Sequence, residues 1–427
     1  MRLRLPSRTE FQALCAGDGE FRLAARHWTG GFRLNIGAEK LTLVFRDGQP
    51  VADEGGCELI EYSGEEAVWE RVLAATPERF HNDLMANVSV GGGITRSGSP
   101  VVHGQYYPAV MRAVELLRGN TSTTRVAEGS VDQDSFAEPR VSPARFDTPV
   151  GRYVHLDLAG HDHRLYFEEA GQGIPLLLQH TAGCHGSQWR HLFEVPGITG
   201  RFHLIAYDLP CHGKSVPPAT RNWWAEPYAL KGDFLRSVPL QLAAALELDR
   251  PVFMGCSVGG LLALDLAHRH PDRFRAVVSV EGALKIEGNL EQLQELWHPQ
   301  ISNEYKARLM EGLMSPASPA AFRKETSWVY SAGWPPVFLG DLHYYLNDFD
   351  LRRAAGEINT TRVGVHILSG EYDYSGTAEL GRAAHEAIPG STWREMKGVG
   401  HFPMSENPAA FMEHLLPVLD AIANGSG

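Results

Sequence analysis

Gly255-Cys256-Ser257-Val258-Gly259-Gly260 is the stretch on which the fold turns. An apolar run, Val252-Phe253-Met254, leads into it, and Leu261-Leu262-Ala263-Leu264-Asp265-Leu266 follows at helical spacing. The chain therefore reads strand, tight turn, helix. That context is what a G-x-S-x-G nucleophile elbow requires, because the glycines let helix and strand crowd together around a sharply turned serine. The Ser257 hydroxyl is then expected to project from the top of a sheet. The N–H of Val258, at the start of the helix, faces the place where an oxyanion would develop.

A serine hydroxyl is a weak nucleophile near neutral pH, so a base is needed, and the base needs a carboxylate to orient it. Strand Val363–Leu368 ends in Ser369-Gly370-Glu371-Tyr372-Asp373, and strand Thr392–Met396 ends in Lys397-Gly398-Val399-Gly400-His401. Both ends fall where a parallel sheet places its ligands. Asp373 is the candidate acid and His401 the candidate base, with Glu371 and Glu281 as alternative acids. The chain holds 19 histidines, most of them expected at the surface or in the core. His401 stands apart through its flanking glycines, its place after the last strand and the helix that follows. A second oxyanion donor is expected from His180-Thr181-Ala182-Gly183-Cys184-His185-Gly186. By register Ala182 is the first candidate and Thr181 the next, with Thr181 and His185 also lining the substrate pocket.

Short apolar strands at Ile174–Gln179, Phe202–Tyr207, Val252–Cys256, Ala276–Val280, Val363–Leu368 and Thr392–Met396 alternate with helical segments, after a leading hairpin at Tyr153–Leu158 and Arg164–Glu168. This predicts an α/β domain built on a doubly wound, mostly parallel sheet. Asp208-Leu209-Pro210-Cys211-His212-Gly213-Lys214-Ser215 reads as structural turn chemistry beside the elbow.

In this order, His180 to Gly183, Asp208 to Ser215, Gly255 to Gly259, Gly370 to Asp373 and Gly400 to Pro403 make residues 149–422 resemble the α/β-hydrolase superfamily. The resemblance implies a triad in chain order Ser, Asp, His, and it keeps Glu281 open, since some members take the acid from the strand before it. The oxyanion loop departs from the family pattern, with Thr181 after His180 where His-Gly is usual. The family also implies a cap after strand Ala276–Val280, expected at about residues 285–350, with helical Asn289–Leu296, Glu304–Met314 and Pro319–Val329. This segment and the loop after Ser215 are rich in aromatic residues. Trp223, Trp224, Trp328 and Tyr344 are the candidates for contacting an apolar or aromatic substrate group.

Before the hydrolase-like part, residues 1–118 read as a separate α+β domain and residues 119–148 as a polar, proline-punctuated linker, leaving 149–427 for the catalytic domain. Phe32–Ile36, Leu41–Phe45 and Cys57–Tyr62 alternate at period two and predict an antiparallel sheet. With a Gly-rich strand at Val88–Ile94 and a closing helix, residues 10–118 are similar to a sterol-carrier-protein-2-like domain. That resemblance implies an apolar cavity for a lipid or acyl-like molecule. The alternative is a structural or dimerising domain, through which a homo-oligomer would form.

Composition bounds the remaining classes. The 427 residues are 43% hydrophobic and 21% charged, with a net charge of −12. This predicts a globular chain of two or three domains with no basic footprint for nucleic acid. No apolar run approaches the roughly 18 residues of a membrane span. The start lacks the apolar region of a secretory signal, and the five cysteines form no CxxC pair, so a cytoplasmic protein without disulfides or a metal site is expected. No cofactor is implied. The expected activity is hydrolysis of a carboxylic ester, or of an amide, lactone or carbamate, through an acyl-enzyme. A C–C bond hydrolase acting on vinylogous diketones with the same triad is the alternative, and a non-enzymatic lipid carrier the remote one.

Overall fold

The computed structural model describes residues 3–52, 56–121, 144 and 146–425. The chain divides into two compact units, Met1–Asp147 and Thr148–Gly427.

In the first unit, strands β1 (Gly30–Ile36), β2 (Glu39–Arg46), β3 (Gln49–Val51), β4 (Leu59–Gly64) and β5 (Thr95–Ser97) form one sheet in the order β3-β2-β1-β4-β5. The β1–β2 hairpin is antiparallel with Phe32 opposite Leu43, but β4 pairs with β1 in parallel, Phe32 opposite Ile60. The uniformly antiparallel sheet read from the sequence is corrected here. Period-two alternation reports which face is buried and carries no information about strand direction. The Gly-rich strand expected at Val88–Ile94 is likewise absent. Asp83 caps a helix over Leu84–Ser89, accepting from the N–H groups of Met85 at 2.8 Å and Ala86 at 3.0 Å. Gly91 and Gly93 then take φ of 69° and 103°, so only Thr95–Ser97 joins the sheet. The closing helix runs Pro100–Thr121, past the expected end at 118; of the expected linker, residues 122–143 and 145 lie outside the described residues.

The second unit carries strands β6 (Val150–Leu158), β7 (His161–Gly171), β8 (Ile174–Gln179), β9 (Phe202–Tyr207), β10 (Val252–Cys256), β11 (Ala276–Val280), β12 (Gly364–Gly370) and β13 (Thr392–Met396). They lie in the order β13-β12-β11-β10-β8-β9-β7-β6. From β9 to β13 every neighbouring pair is parallel, while β6 and β7 add an antiparallel edge. Leu176, Leu178, Met254 and Val278 pack with Trp189, Phe411 and Leu415 on one face. Their opposite-facing neighbours Leu177, Phe253 and Val277 are also fully buried. Both faces are therefore covered, which is why these strands read as continuous apolar runs. At about 1.5–3 kcal/mol for each fully buried aliphatic or aromatic side chain, this core dominates the stability of the unit.

Between β11 and β12 the chain forms a 3₁₀ segment, Leu290–Leu296, and helices Asn303–Gly312, Ala320–Ser331 and Pro335–His343, the last running into a π-helical turn at Tyr344–Asp348. Among the described residues no helix is long and apolar enough to cross a membrane.

Candidate active site

Ser257 stands between β10 and the helix Val258–Arg269 with φ 59° and ψ −113°, a conformation rarely tolerated by a residue with a Cβ. Its surroundings enforce it. The N–H of Ser257 donates to Val280 O at 2.9 Å, and its carbonyl accepts from Leu261 N at 2.9 Å. A Cβ on Gly255 would overlap the Gly259 carbonyl, and one on Gly259 would lie 2.7 Å from Gln179 Cγ. Only glycine permits strand, serine and helix to approach this closely. Val258 is the first residue of the helix, so its N–H has no acceptor within the helix.

His401 follows β13 and is anchored at its backbone on two sides. Its N–H donates to Leu313 O at 3.0 Å, and its carbonyl accepts from the Cys256 thiol at 3.2 Å, which sets it beside the elbow. On the ring, Nδ1 lies 2.6 Å from Asp373 Oδ2. Asp373 is wholly buried and accepts from Ser375 N at 2.7 Å and Gly376 N at 3.0 Å, which fixes its carboxylate. Ser257 and His401 are at most 5% exposed.

Glu281, immediately after β11, is fully buried and hydrogen-bonds Asp373. Both its oxygens lie 2.8 Å from Gly370 N. Burial, reinforced by the Asp373 charge, pushes its pKa well above the carboxylate range. The alternative acid is therefore a neutral neighbour of Asp373, and the His401 ring is paired with Asp373. Glu371 instead accepts from Gly398 N at 2.9 Å and lies beside Lys397.

In the loop after β8, the Thr181 N–H and hydroxyl both donate to Gln188 Oε1 at 3.0 Å, so Thr181 is removed as an oxyanion donor. Gly183 N donates to Asp341 Oδ2 at 2.7 Å. That leaves the Ala182 N–H as the candidate in this turn. His180 Nε2 accepts from Leu209 N at 3.1 Å, which puts the ring proton on Nδ1 facing Thr181 O; burial drives its pKa well down and keeps it neutral. His185 packs near the Asp208 loop with Nδ1 2.9 Å from Ser187 Oγ. Asp208 itself accepts from Gly186 N and Lys214 N, both at 2.7 Å, which is structural turn chemistry.

The aromatic candidates divide. Trp224 and Trp328 are each 67% exposed, and Trp223 makes edge contacts with Trp224 and Trp334. Tyr344 is buried, but its hydroxyl donates to Asp265 Oδ2 at 3.0 Å, on the helix after the elbow. Its neighbour Tyr345, also buried, lies on the Ser257 side, with its hydroxyl 3.0 Å from Ser375 Oγ in the loop that holds Asp373. Both tyrosines sit on the π-helical turn Tyr344–Asp348.

Three side chains missed in the sequence complete the surroundings. Glu406 accepts from Gly400 N at 2.7 Å, Ser315 N at 3.2 Å and Ser318 Oγ at 2.9 Å, bracing the His401 loop against the segment after helix Asn303–Gly312. Asp341, besides Gly183, accepts from His212 Nε2 at 2.8 Å and Tyr228 hydroxyl at 3.2 Å. Lys306 is buried with burial pushing its pKa down to about 8. Only Glu406 had a visible sequence signal, a carboxylate five residues after a strand-end histidine. Among the described residues no group of three or more His, Cys, Asp or Glu side chains is placed to hold a metal ion.

Comparison with known proteins agrees with this architecture. A pimeloyl-[acyl-carrier protein] methyl ester esterase of Vibrio atlanticus is 25% identical over 272 residues, covering 59% of this chain and 96% of that one. An uncharacterised protein of Mycobacterium tuberculosis is 27% identical over 280 residues, 59% of this chain and 77% of its own. The solved structure of a thermophilic esterase from Thermogutta terrifontis superposes with a TM-score of 0.55 at 18% identity, over 64% of this chain and 99% of that one. Residues 176–414, more than half of the chain, match the model of the alpha/beta hydrolase family. With that span enclosing the elbow, the Asp373–His401 pair and the intervening helices, the chain belongs to the alpha/beta hydrolase family and is a hydrolase.

Proposed function

We propose that the second unit hydrolyses a carboxylic ester of a small molecule with an apolar or aromatic group, through a Ser257–His401–Asp373 triad. Ser257 Oγ attacks the ester carbonyl while His401 Nε2 takes the hydroxyl proton. Asp373 holds Nδ1–H and stabilises the imidazolium. The tetrahedral oxyanion accepts from the N–H groups of Val258 and Ala182. His401 then protonates the departing alcohol, and water, deprotonated by His401, releases the acid from the acyl-enzyme.

The observation that carries this reading is the buried 2.6 Å contact between His401 Nδ1 and Asp373 Oδ2 beside a strained elbow serine. It is also supported by relatives named as esterases. Tyr345, Tyr330, Phe338 and Phe402, all buried, suit an apolar acyl group. In the same proposal residues 1–118 keep their likeness to a sterol-carrier-protein-2-like domain, supported by a five-stranded sheet closed by a long final helix.

Hydrolysis of p-nitrophenyl acetate, butyrate, octanoate and benzoate tests the reading. Turnover that falls about 10⁴-fold or more in Ser257→Ala supports it. Full turnover in that variant, or none by the folded wild type on any ester, sinks it.

A further inference from the structure

Lys306 lies on helix Asn303–Gly312 and is 1% exposed, and its Nζ has no hydrogen-bond partner among the described residues. An ammonium withdrawn from water and left unpaired is costly, and a lysine in such a place ordinarily meets an anion or surrenders its proton.

Its location is specific. Nζ is 5.9 Å from the Phe338 ring centroid, and a Cβ on Gly333 would lie 3.6 Å from Nζ and 3.0 Å from Gly183 O. The missing side chain at Gly333 leaves a cradle between the ammonium and the loop that carries the Ala182 N–H. From Phe338 an aromatic wall runs back to the base: Tyr330 at 6.1 Å, then Phe402 at 5.3 Å, then His401 at 4.8 Å between centroids.

The groups around Lys306 leave it without a bonded counter-ion among the described residues. The titratable groups facing it are Cys184 from the loop after β8 and Asp341 from helix Pro335–His343. Burial pushes the Cys184 thiol far up, so it is neutral. Asp341 accepts from Gly183 N and the Tyr228 hydroxyl and lies 2.8 Å from His212 Nε2, so its oxygens are already engaged. Its partner His212 has Nδ1 3.0 Å from Pro210 O, an atom that can only accept, so that nitrogen carries a proton; against burial, which lowers it, the facing Asp341 raises the pKa of the ring. Asp341 is thus committed to these partners, and no anion hydrogen-bonds Lys306 among the described residues.

We propose that Lys306 binds a carboxylate carried on the acyl part of the substrate, so that the preferred esters are half-esters of dicarboxylic acids. This rests on the ester-hydrolase reading and names its substrate class. The carboxylate enters the Gly333 cradle, and the acyl chain lies along the aromatic wall with its ester carbonyl at Ser257.

The experiment compares monomethyl glutarate with dimethyl glutarate, which share a skeleton and differ in one charge. In the wild type at pH 7 the ratio of kcat/KM, anionic over neutral, is expected to be tenfold or more. It collapses toward one in Lys306→Met and is partly kept in Lys306→Arg. The wild-type ratio also declines as pH rises through about 8, where free Lys306 loses its proton. A wild-type ratio near one, or an equal ratio in Lys306→Met, overturns the proposal. Calorimetric binding of monomethyl glutarate to Ser257→Ala, with and without Lys306→Met, separates the two readings. Lysine-dependent binding without Ser257-dependent turnover of any ester leaves the anion site standing and removes the esterase. Turnover of neutral esters with no lysine-dependent binding does the reverse.

Discussion

Glu281 and Asp373, on neighbouring strand ends, share a hydrogen bond with both side chains wholly buried. Only one of the two can be ionised comfortably at that separation, and burial decides for a neutral Glu281. A neutral Glu281 can donate to Asp373, beside the donors Ser375 N, Gly376 N and the His401 ring. Glu281→Gln keeps a neutral donor of the same shape, and kcat for a p-nitrophenyl ester is expected to stay within about threefold of wild type. Glu281→Leu removes the donor and strands Gly370 N; a net hydrogen bond of about 0.5–1.5 kcal/mol, plus the orphaned amide, points to a loss of roughly tenfold or more. Equal activity of the two variants would show that the shared proton has no part in holding Asp373.

The same burial has a consequence for stability. Glu281 and Glu406 both have folded-state pKa values above the carboxylate range. Each therefore binds its proton more tightly folded than unfolded, so the stability they contribute is present below about pH 4.5 and is lost as pH rises toward the folded values. Glu281→Gln removes one of these liabilities. Its melting temperature relative to wild type is expected to improve from pH 5 to pH 8, read by differential scanning fluorimetry across that range. A difference that stays flat with pH would place the Glu281 carboxyl as unperturbed.

The strand-end placement of Ser257, Asp373 and His401 was legible because each stands near a glycine that marks the end of a strand, where sequence reports geometry directly. The parallel sheet was legible because strands buried on both faces leave unbroken apolar runs. What escaped depends on packing that no local pattern encodes. Tyr344 and Tyr345 are adjacent on a π-helical turn, yet one bonds Asp265 and the other Ser375 beside Asp373. Lys306 reads as an ordinary polar position on an amphipathic helix until the segment around Gly333 and Phe338 folds over it. The direction of β4 was invisible for a related reason, since parallel and antiparallel partners show the same alternation.

Gly255 tests the elbow itself. A methyl group there would overlap the Gly259 carbonyl, and backbone on both sides leaves no flexible side chain to move. Gly255→Ala is expected to cost about 1–3 kcal/mol or more in urea unfolding and to lower kcat by displacing Ser257. Gly197, on the helix Pro196–Thr199, has nothing within 4 Å of its Cβ position, and Gly197→Ala serves as the control that should leave both quantities near wild type.

Asp341 ties the segment between β11 and β12 to the oxyanion loop. Its carboxylate takes the Gly183 N–H one residue beyond Ala182, while His212 and Tyr228 hold it from the other side. Asp341→Asn removes the carboxylate that faces His212 Nε2 at 2.8 Å; breaking a fully buried pair from one side costs about 3–5 kcal/mol, to be read as a shift in the urea midpoint. The turn that presents Ala182 would also loosen, and a misplaced oxyanion donor costs on the order of 10²-fold in kcat. The double variant Asp341→Asn/His212→Gln removes the stranded imidazole as well. It is expected to regain part of the stability while kcat stays low, because Gly183 N still lacks its carboxylate. Recovery of both together would mean that charge balance alone, and not the anchoring of Gly183, is what Asp341 supplies to the loop.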